Sequence, residues 1–353
     1  MRSFSEPRQR ELEEVLRRLS EDQHDRWGGE VRSVHPLSRI RRPFSEVTIL
    51  EVELESSKRK IVVKQFTLKN DSPEQLAKMQ ARVRKEFDVT RLFHDKFRDC
   101  SGFSTAEPIG CYPDLLSIAM TYSPGENLAD VVDKMARYSP GKATLERLSA
   151  GSRACGRYLV GLQKMTAETG RLDLAELIED IDLRLKAIVK LESRVMDSRL
   201  RGEILDHCGR QASLATDSDL RVCGVHGDYC TSNILVAGDE VTVLDFTMFK
   251  PGSTFHDVTY FCRNLTNFLH KPIFRPQTFT ILQRAFLDGY DENLDPTGPV
   301  FKLLSLRHVV CHLAGLVKAS VPLHVRLFNK RVARRHAIWI RNALADSHPH
   351  ALA

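Results

Sequence analysis

The stretch His226-Gly227-Asp228-Tyr229-Cys230-Thr231-Ser232-Asn233 runs into the apolar Ile234-Leu235-Val236, the turn Ala237-Gly238-Asp239-Glu240, and Val241-Thr242-Val243-Leu244-Asp245-Phe246. Two short apolar segments joined by a Gly-Asp turn read as a strand, a turn and a strand. Three oxygen-bearing side chains then fall on one polar loop (Asp228, Asn233) and one strand end (Asp245). An aspartate in a polar loop is by itself an ordinary turn former. The combination is what carries information, because the amide oxygen of Asn233 and the carboxylate of Asp245 are the hard donors that a cation such as Mg²⁺ prefers.

Working outward, Val47 to Glu55 alternates apolar and polar residues, Ser56 to Arg59 is a polar turn, and Lys60 to Phe66 is a second apolar segment, which predicts an antiparallel hairpin. Ser72-Pro73 predicts the start of a long helix, with Ser72 as N-cap and Pro73 in the first helical position, running through residue 95. Two further strand segments are expected in 103–122, in one antiparallel sheet with 45–66. Beyond 125 the apolar spacing is three and four almost throughout, so that 123–353 reads as helical apart from the segments at 221–247. At the other end, residues 1–27 form a polar helix with Leu12, Val15, Leu16 and Leu19 on one stripe. The fold class is α+β in two lobes, 1–122 and 123–353.

Lys64 follows three β-branched residues and shares a face with Val62. A lysine on an apolar face is costly without a partner carboxylate, and Glu86 or Glu74 on the long helix can supply one. Asp228 and Asn233 are five positions apart (228 + 5 = 233), the spacing at which phosphoryl-transfer enzymes place the group that receives the acceptor proton and a metal ligand.

HGDxxxxNIL, then LDF, then Asp257 twelve residues after Asp245, resembles the aminoglycoside phosphotransferase and choline kinase family. The resemblance extends from about residue 45 to 265 and implies a protein-kinase-like fold with a small antiparallel-sheet N-lobe and a larger helical C-lobe. By resemblance, Asp228 is the catalytic base, Asn233 and Asp245 are magnesium ligands, His226 anchors the loop, and Asp257 braces it from a helix start. Lys64 resembles the lysine that holds the α- and β-phosphates, and Glu86 its helix partner. Met120, Tyr122 and Ser123 resemble the hinge that binds the adenine edge.

The resemblance implies a small-molecule kinase using ATP or GTP with Mg²⁺ to phosphorylate a hydroxyl of a sugar, amino sugar, amino alcohol or glycan. The competing readings are a catalytically silent binding module, which has no need of the full set of donors, and a protein kinase. Against the latter, Asp257 comes only twelve positions after Asp245 (257 − 245 = 12), too few for a long activation segment, and no APE segment is present. By the resemblance residues 34–46 hold the loop over the phosphates, but they lack glycine and so do not form a GxGxxG loop; Ser38, Arg39 and Ser45 are the residues there that could contact phosphate.

Composition sets bounds around this reading. A length of 353 residues with 42% apolar content supports a large core, and a net charge of +6 with interspersed signs does not call for nucleic acid. The eight cysteines form no C-x-x-C pair and read as reduced thiols; Cys223, His226 and Cys230 lack a second ligand pair for zinc. The charged N-terminus and the absence of a long uninterrupted apolar run lead to the expectation of a cytoplasmic chain without a membrane span. The basic amphipathic helix at 329–341 reads either as a solvated face or as a contact for an anionic acceptor or a membrane surface.

Overall fold

The computed structural model describes residues 6–22, 30–42, 44–68, 70, 72–192, 194–318 and 321–345. By its own contacts the chain divides into two compact units, Met1–Glu126 with Leu235–Met248, and Asn127–Ile234 with Phe249–Ala353. The break after Glu126 lies four residues past the expected boundary at 122 (126 − 122 = 4), and the first unit takes back Leu235–Met248, which holds both strands of the motif except Ile234.

In the first unit, helix α1 (Glu6–Asp22) precedes strands β1 (Val31–Arg41), β2 (Ser45–Leu54) and β3 (Lys58–Phe66). Helix α2 (Pro73–Phe97) is followed by β4 (Phe103–Thr105), β5 (Pro108–Tyr112) and β6 (Ser117–Thr121). The five-stranded sheet has the order β1-β2-β3-β6-β5 and is antiparallel throughout. The predicted hairpin is β2–β3, with Glu53 opposite Lys58. Ser72 caps α2 by accepting from the Gln75 amide at 3.3 Å. Leu12, Val15 and Leu19 of α1 share a core with Leu50, Val52, Ile61 and Val63 of the sheet, each such side chain contributing roughly 1.5–3 kcal/mol of burial.

Two expectations are corrected. Residues 34–46 are mostly strand, since β1 pairs along β2 with two bulges, and Arg39 and Arg41 reach the buried Glu46 at 3.1 and 3.2 Å. Residues 103–105 leave the antiparallel sheet: β4 pairs parallel with β11 (Glu240–Val243), placing Phe103 to Thr105 opposite Val241 to Val243. The short β7 (Glu126–Asn127) stands at the unit boundary, and β10 (Ile234–Ala237) precedes β11.

The second unit contains α3 (Leu128–Met135), α4 (Lys142–Met165), β8 (Ala167–Arg171), α5 (Leu174–Leu191), α6 (Ser198–Leu214) and β9 (Arg221–Val225). After the motif come β12 (Lys250–Ser253), α7 (His256–Asn267), α8 (Pro276–Tyr290), α9 (Pro299–Lys318) and α10 (Leu323–Ala345). The segments 167–171 and 250–253 are strands, one on each side of β9, which adds a three-stranded sheet that the helical reading omits. Helices α5, α6, α9 and α10 enclose one core that includes Ile181, Leu185, Leu303, Val309 and Ile340. Helix α9 is long and apolar enough to cross a membrane by length and composition alone, but its apolar run is interrupted by Lys302 and Arg307, and Val300, Leu303, Leu304, Val309, Val310 and Leu313 bury its apolar side in that core.

Candidate active site

The sequence-predicted residues fall into two constellations, one in each unit. In the first, Lys64 lies on β3 and Glu86 on the facing side of α2, both buried. The Lys64 ammonium donates to both Glu86 oxygens at 2.8 and 3.0 Å and lies 3.0 Å from Oδ1 of Asp245. Glu86, not Glu74, is therefore the partner that burial of Lys64 requires. Burial pushes Glu86 up to about 7, with Asp245 adding to the rise and Lys64 opposing it. Burial works against the Lys64 charge, yet Glu86 and Asp245 hold it above its ordinary value.

Asp245 adopts a left-handed backbone, φ 67°, a conformation that aspartate tolerates better than bulky residues and that recurs at functional sites. Thr247 donates to Asp245 Oδ1 at 2.7 Å, and Arg82 of α2 donates to the Thr247 hydroxyl at 3.2 Å. Phe246 stacks on Phe93 of α2 at 5.0 Å between ring centres, which fixes the turn that presents Asp245.

Along the hinge segment, Met120 pairs within β6, opposite Val62. The Tyr122 amide donates to the Lys60 carbonyl at 3.1 Å, so that its N–H is spent. Ser123 makes no hydrogen bond among the described residues.

The second constellation is the loop after β9. Asp257, buried in the first turn of α7, accepts from the amides of His226 at 2.6 Å and Gly227 at 3.0 Å. Gly227 has φ 80°, a value that suits glycine at this bend. The Asp228 amide donates to Nδ1 of His226 at 3.2 Å, so that the proton of the neutral ring sits on Nε2. Burial works against ionisation of Asp257, but hydrogen bonds with His256 and the Gly227 amide hold its carboxyl below the usual range.

Both oxygens of Asp228 are gripped. Tyr260 donates to Oδ1 at 2.9 Å and the Asn233 amide nitrogen to Oδ2 at 2.9 Å. The same nitrogen donates to the Asp228 carbonyl at 3.0 Å. This assigns the amide nitrogen to the side facing Asp228 and leaves Asn233 Oδ1 without a hydrogen bond among the described residues, a hard oxygen suited to a divalent cation. Burial and the neighbouring Asp228 push the Tyr260 hydroxyl well above its ordinary range, which keeps it a donor.

Supporting contacts hold the loop from below. Tyr229 is fully buried and donates to the Cys155 carbonyl of α4 at 2.7 Å. Gly156 and Gly289 let α4 and α8 approach backbone to backbone, and a Cβ at either position would overlap the facing chain. Asn264 accepts from both the amide and the hydroxyl of Thr231 at 3.1 and 2.8 Å. Tyr260, Asn264, Arg82 and Thr247 were not singled out by the sequence reading, since polar residues on helices and turns carry no pattern until the tertiary partner is known. The one local hint is that Tyr260 stands one turn after Asp257 on the same helix.

Residues 48–292 match the phosphotransferase enzyme family. The chain belongs to this family. It is a phosphotransferase with an alcohol group as acceptor. A search of curated proteins finds no significant sequence match. Among solved structures the chain is similar to choline kinase from Cryptosporidium parvum Iowa II, with 12% identity, TM-score 0.54, and coverage of 90% of this chain and 92% of that one. It is similar to aminoglycoside 2'-phosphotransferase-IIIa in its GDP complex, with 12% identity, TM-score 0.54, and coverage of 92% and 98%. A third likeness is to aminoglycoside phosphotransferase APH(4)-Ia in a ternary complex with ADP and hygromycin B, with 14% identity, TM-score 0.53, and coverage of 93% and 99%. These likenesses establish the protein-kinase-like fold, with an antiparallel-sheet region followed by a helical one.

Proposed function

We propose that this phosphotransferase moves the γ-phosphoryl group of ATP or GTP onto a hydroxyl of a sugar, amino sugar, amino alcohol or glycan. The observation that carries the reading is the fixing of Asp228 on both carboxylate oxygens, by Tyr260 and Asn233, in a loop braced by Asp257. Each carboxylate oxygen keeps a lone pair beyond the bond it accepts, so that a substrate hydroxyl can donate to Asp228 without displacing either partner. In the reaction the acceptor oxygen forms a bond to the γ-phosphorus, the bond from that phosphorus to the β–γ bridging oxygen breaks, and the hydroxyl proton passes to Asp228. Positioning and charge stabilisation, not covalent chemistry, supply the rate.

Lys64, held by Glu86, would pair with the α- and β-phosphates, and the backbone of Met120 to Ser123 would meet the base edge. Ser123, whose backbone groups are unspent, is the better placed of the hinge residues, while Tyr122 offers only its carbonyl. Asn233 Oδ1 and the Asp245 carboxylate would hold Mg²⁺, which when bound neutralises charge on the β- and γ-phosphates. The Lys64 ammonium is met by both Glu86 and Asp245, which brings the Asp245 carboxylate to the place proposed for the phosphates. Support for nucleotide and hydroxyl acceptors comes from relatives whose structures hold ADP and hygromycin B, or GDP and kanamycin, and from a glucosamine kinase of the same fold. All eight cysteines are free thiols, in keeping with a cytoplasmic setting where nucleotide is also abundant.

The test is a panel of sugars, amino sugars, amino alcohols and glycans incubated with ATP or GTP and Mg²⁺, with phosphorylated product read by mass. Product is expected with wild type and not with Asp228→Asn. Failure of the wild-type chain to bind any nucleotide would overturn the reading in favour of a silent binding module.

A further inference from the structure

Three residues past Tyr260 on α7, Arg263 points into a cluster formed with His270, His312 of α9 and His336 of α10. One guanidinium nitrogen donates to Nδ1 of His336 at 2.7 Å, and the group lies over the Trp339 ring at 5.8 Å. Its Nε is buried and donates to nothing, and no carboxylate meets it among the described residues. His270 is 9% exposed, and both of its ring nitrogens are buried without a partner. Arg331 and Arg335 add further positive field at His270. Buried charge is ordinarily paired, so that a guanidinium without an anion signals a missing ligand.

Three imidazoles with ring nitrogens all within 4.8 Å of one another suggest a metal site. The hydrogen bonds exclude that arrangement as it stands. Arginine can only donate, so that Nδ1 of His336 must present its lone pair. Burial pushes all three rings below their ordinary range, His270 and His312 to about 4, so that they are neutral near pH 7. The one proton of His336 therefore sits on Nε2 and is donated to Nδ1 of His312 at 2.9 Å. His312 in turn carries its proton on Nε2. The lone pairs of His336 and His312 are consumed, and a metal ion would find only the one on His270. What the cluster has in surplus is N–H donors, on Arg263, His312 and His270, beside uncompensated positive charge.

We propose that Arg263, His270 and His312 form a subsite for a phosphate group carried by the acceptor, which makes the acceptor a phosphorylated sugar or polyol. The assignment to the acceptor rests on the kinase reading above; the anion site does not. Tyr260, which donates to Asp228, and Arg263 are separated by three residues of α7, about 4.5 Å of helix rise, so that one small molecule can place a hydroxyl at Asp228 and a phosphate at Arg263.

The experiment measures thermal stability of the full chain against inorganic phosphate at constant ionic strength, for wild type, Asp228→Asn, His270→Leu and Arg263→Gln. A saturable rise in Tm is expected for wild type and Asp228→Asn, with apparent affinity at least tenfold weaker in the other two. His270→Leu removes no hydrogen bond, so that it separates loss of ligand from loss of fold. In a second arm, a sugar phosphate is expected to exceed its unphosphorylated counterpart at least tenfold in kcat/KM, with that ratio collapsing in His270→Leu. Absence of a phosphate response, or a response equal in all four proteins, would overturn the site while leaving the kinase reading intact. Phosphate binding without any advantage for the sugar phosphate would overturn the assignment to the acceptor. A tetrahedral Co²⁺ absorption spectrum that His270→Leu abolishes would replace the proposal with a metal site. Phosphate binding in a protein that phosphorylates no acceptor would count against the kinase reading, not the anion site.

Discussion

The loop at 226–233 and the pair at Lys64 and Asp245 solve opposite problems. In the loop neutral donors hold carboxylates: amides meet Asp257, and the Asp228 oxygens meet Tyr260 and Asn233. At Lys64 charged groups converge instead, since Glu86 and Asp245 both meet the ammonium, and Asp245 is presented on a left-handed backbone. A network of satisfied hydrogen bonds rigidifies, whereas a gathered carboxylate is the hard donor that a divalent cation prefers. The difference fits the positioning role proposed for the first region and the cation binding proposed for the second.

That division is broken most severely at Asp228. Asp228→Asn removes the proposed proton acceptor but keeps the shape, so that kcat is expected to fall by roughly 10² or more, while nucleotide affinity stays within a few-fold. Steady-state turnover beside nucleotide titration checks this, and a wild-type rate in the variant would remove Asp228 from the mechanism.

A smaller effect, on the other side of the comparison, is expected from Glu86. Burial holds its carboxyl at about 7 in the folded chain, above the ordinary 4.5. With the folded value raised, its contribution to stability is present below about pH 4.5 and is lost as the pH rises through 7. Glu86→Gln cannot titrate, so that its Tm relative to wild type should improve from pH 5 to pH 8, while Mg-nucleotide affinity falls several-fold through the loosened Lys64. Parallel Tm profiles for the two proteins would contradict the raised value.

The smallest effect sharpens the account of the loop. Tyr260→Phe removes one hydrogen bond of about 1 kcal/mol, so that kcat should fall roughly fivefold with nucleotide binding unchanged. Equal losses in kcat and nucleotide affinity would show that Tyr260 supports the fold at large and not Asp228 in particular.

How much of this was legible beforehand depended on where each residue finds its partner. Lys64 and Glu86 could be paired from sequence because a lysine amid β-branched residues demands a carboxylate and the helix offered few. The loop could be read because its donors are five residues apart and locally connected. Strand β1 was missed because it is a bulged sheet edge, largely exposed, with Pro36 and several arginines instead of an apolar alternation. The parallel pairing of β4 with β11 joins three-residue segments more than a hundred positions apart, which no local pattern reports. Arg263 and its histidines looked like scattered polar residues on apolar helices, and only the folded chain shows that they converge.

The most direct test of the central claim is titration of ATP against wild type and Asp245→Asn, each with and without Mg²⁺. If Asp245 captures the cation, Mg²⁺ should tighten ATP binding to wild type at least tenfold and do little for the variant, whose affinity without metal should match that of wild type. An equal gain from Mg²⁺ in both proteins, or no ATP binding in either, would contradict the account.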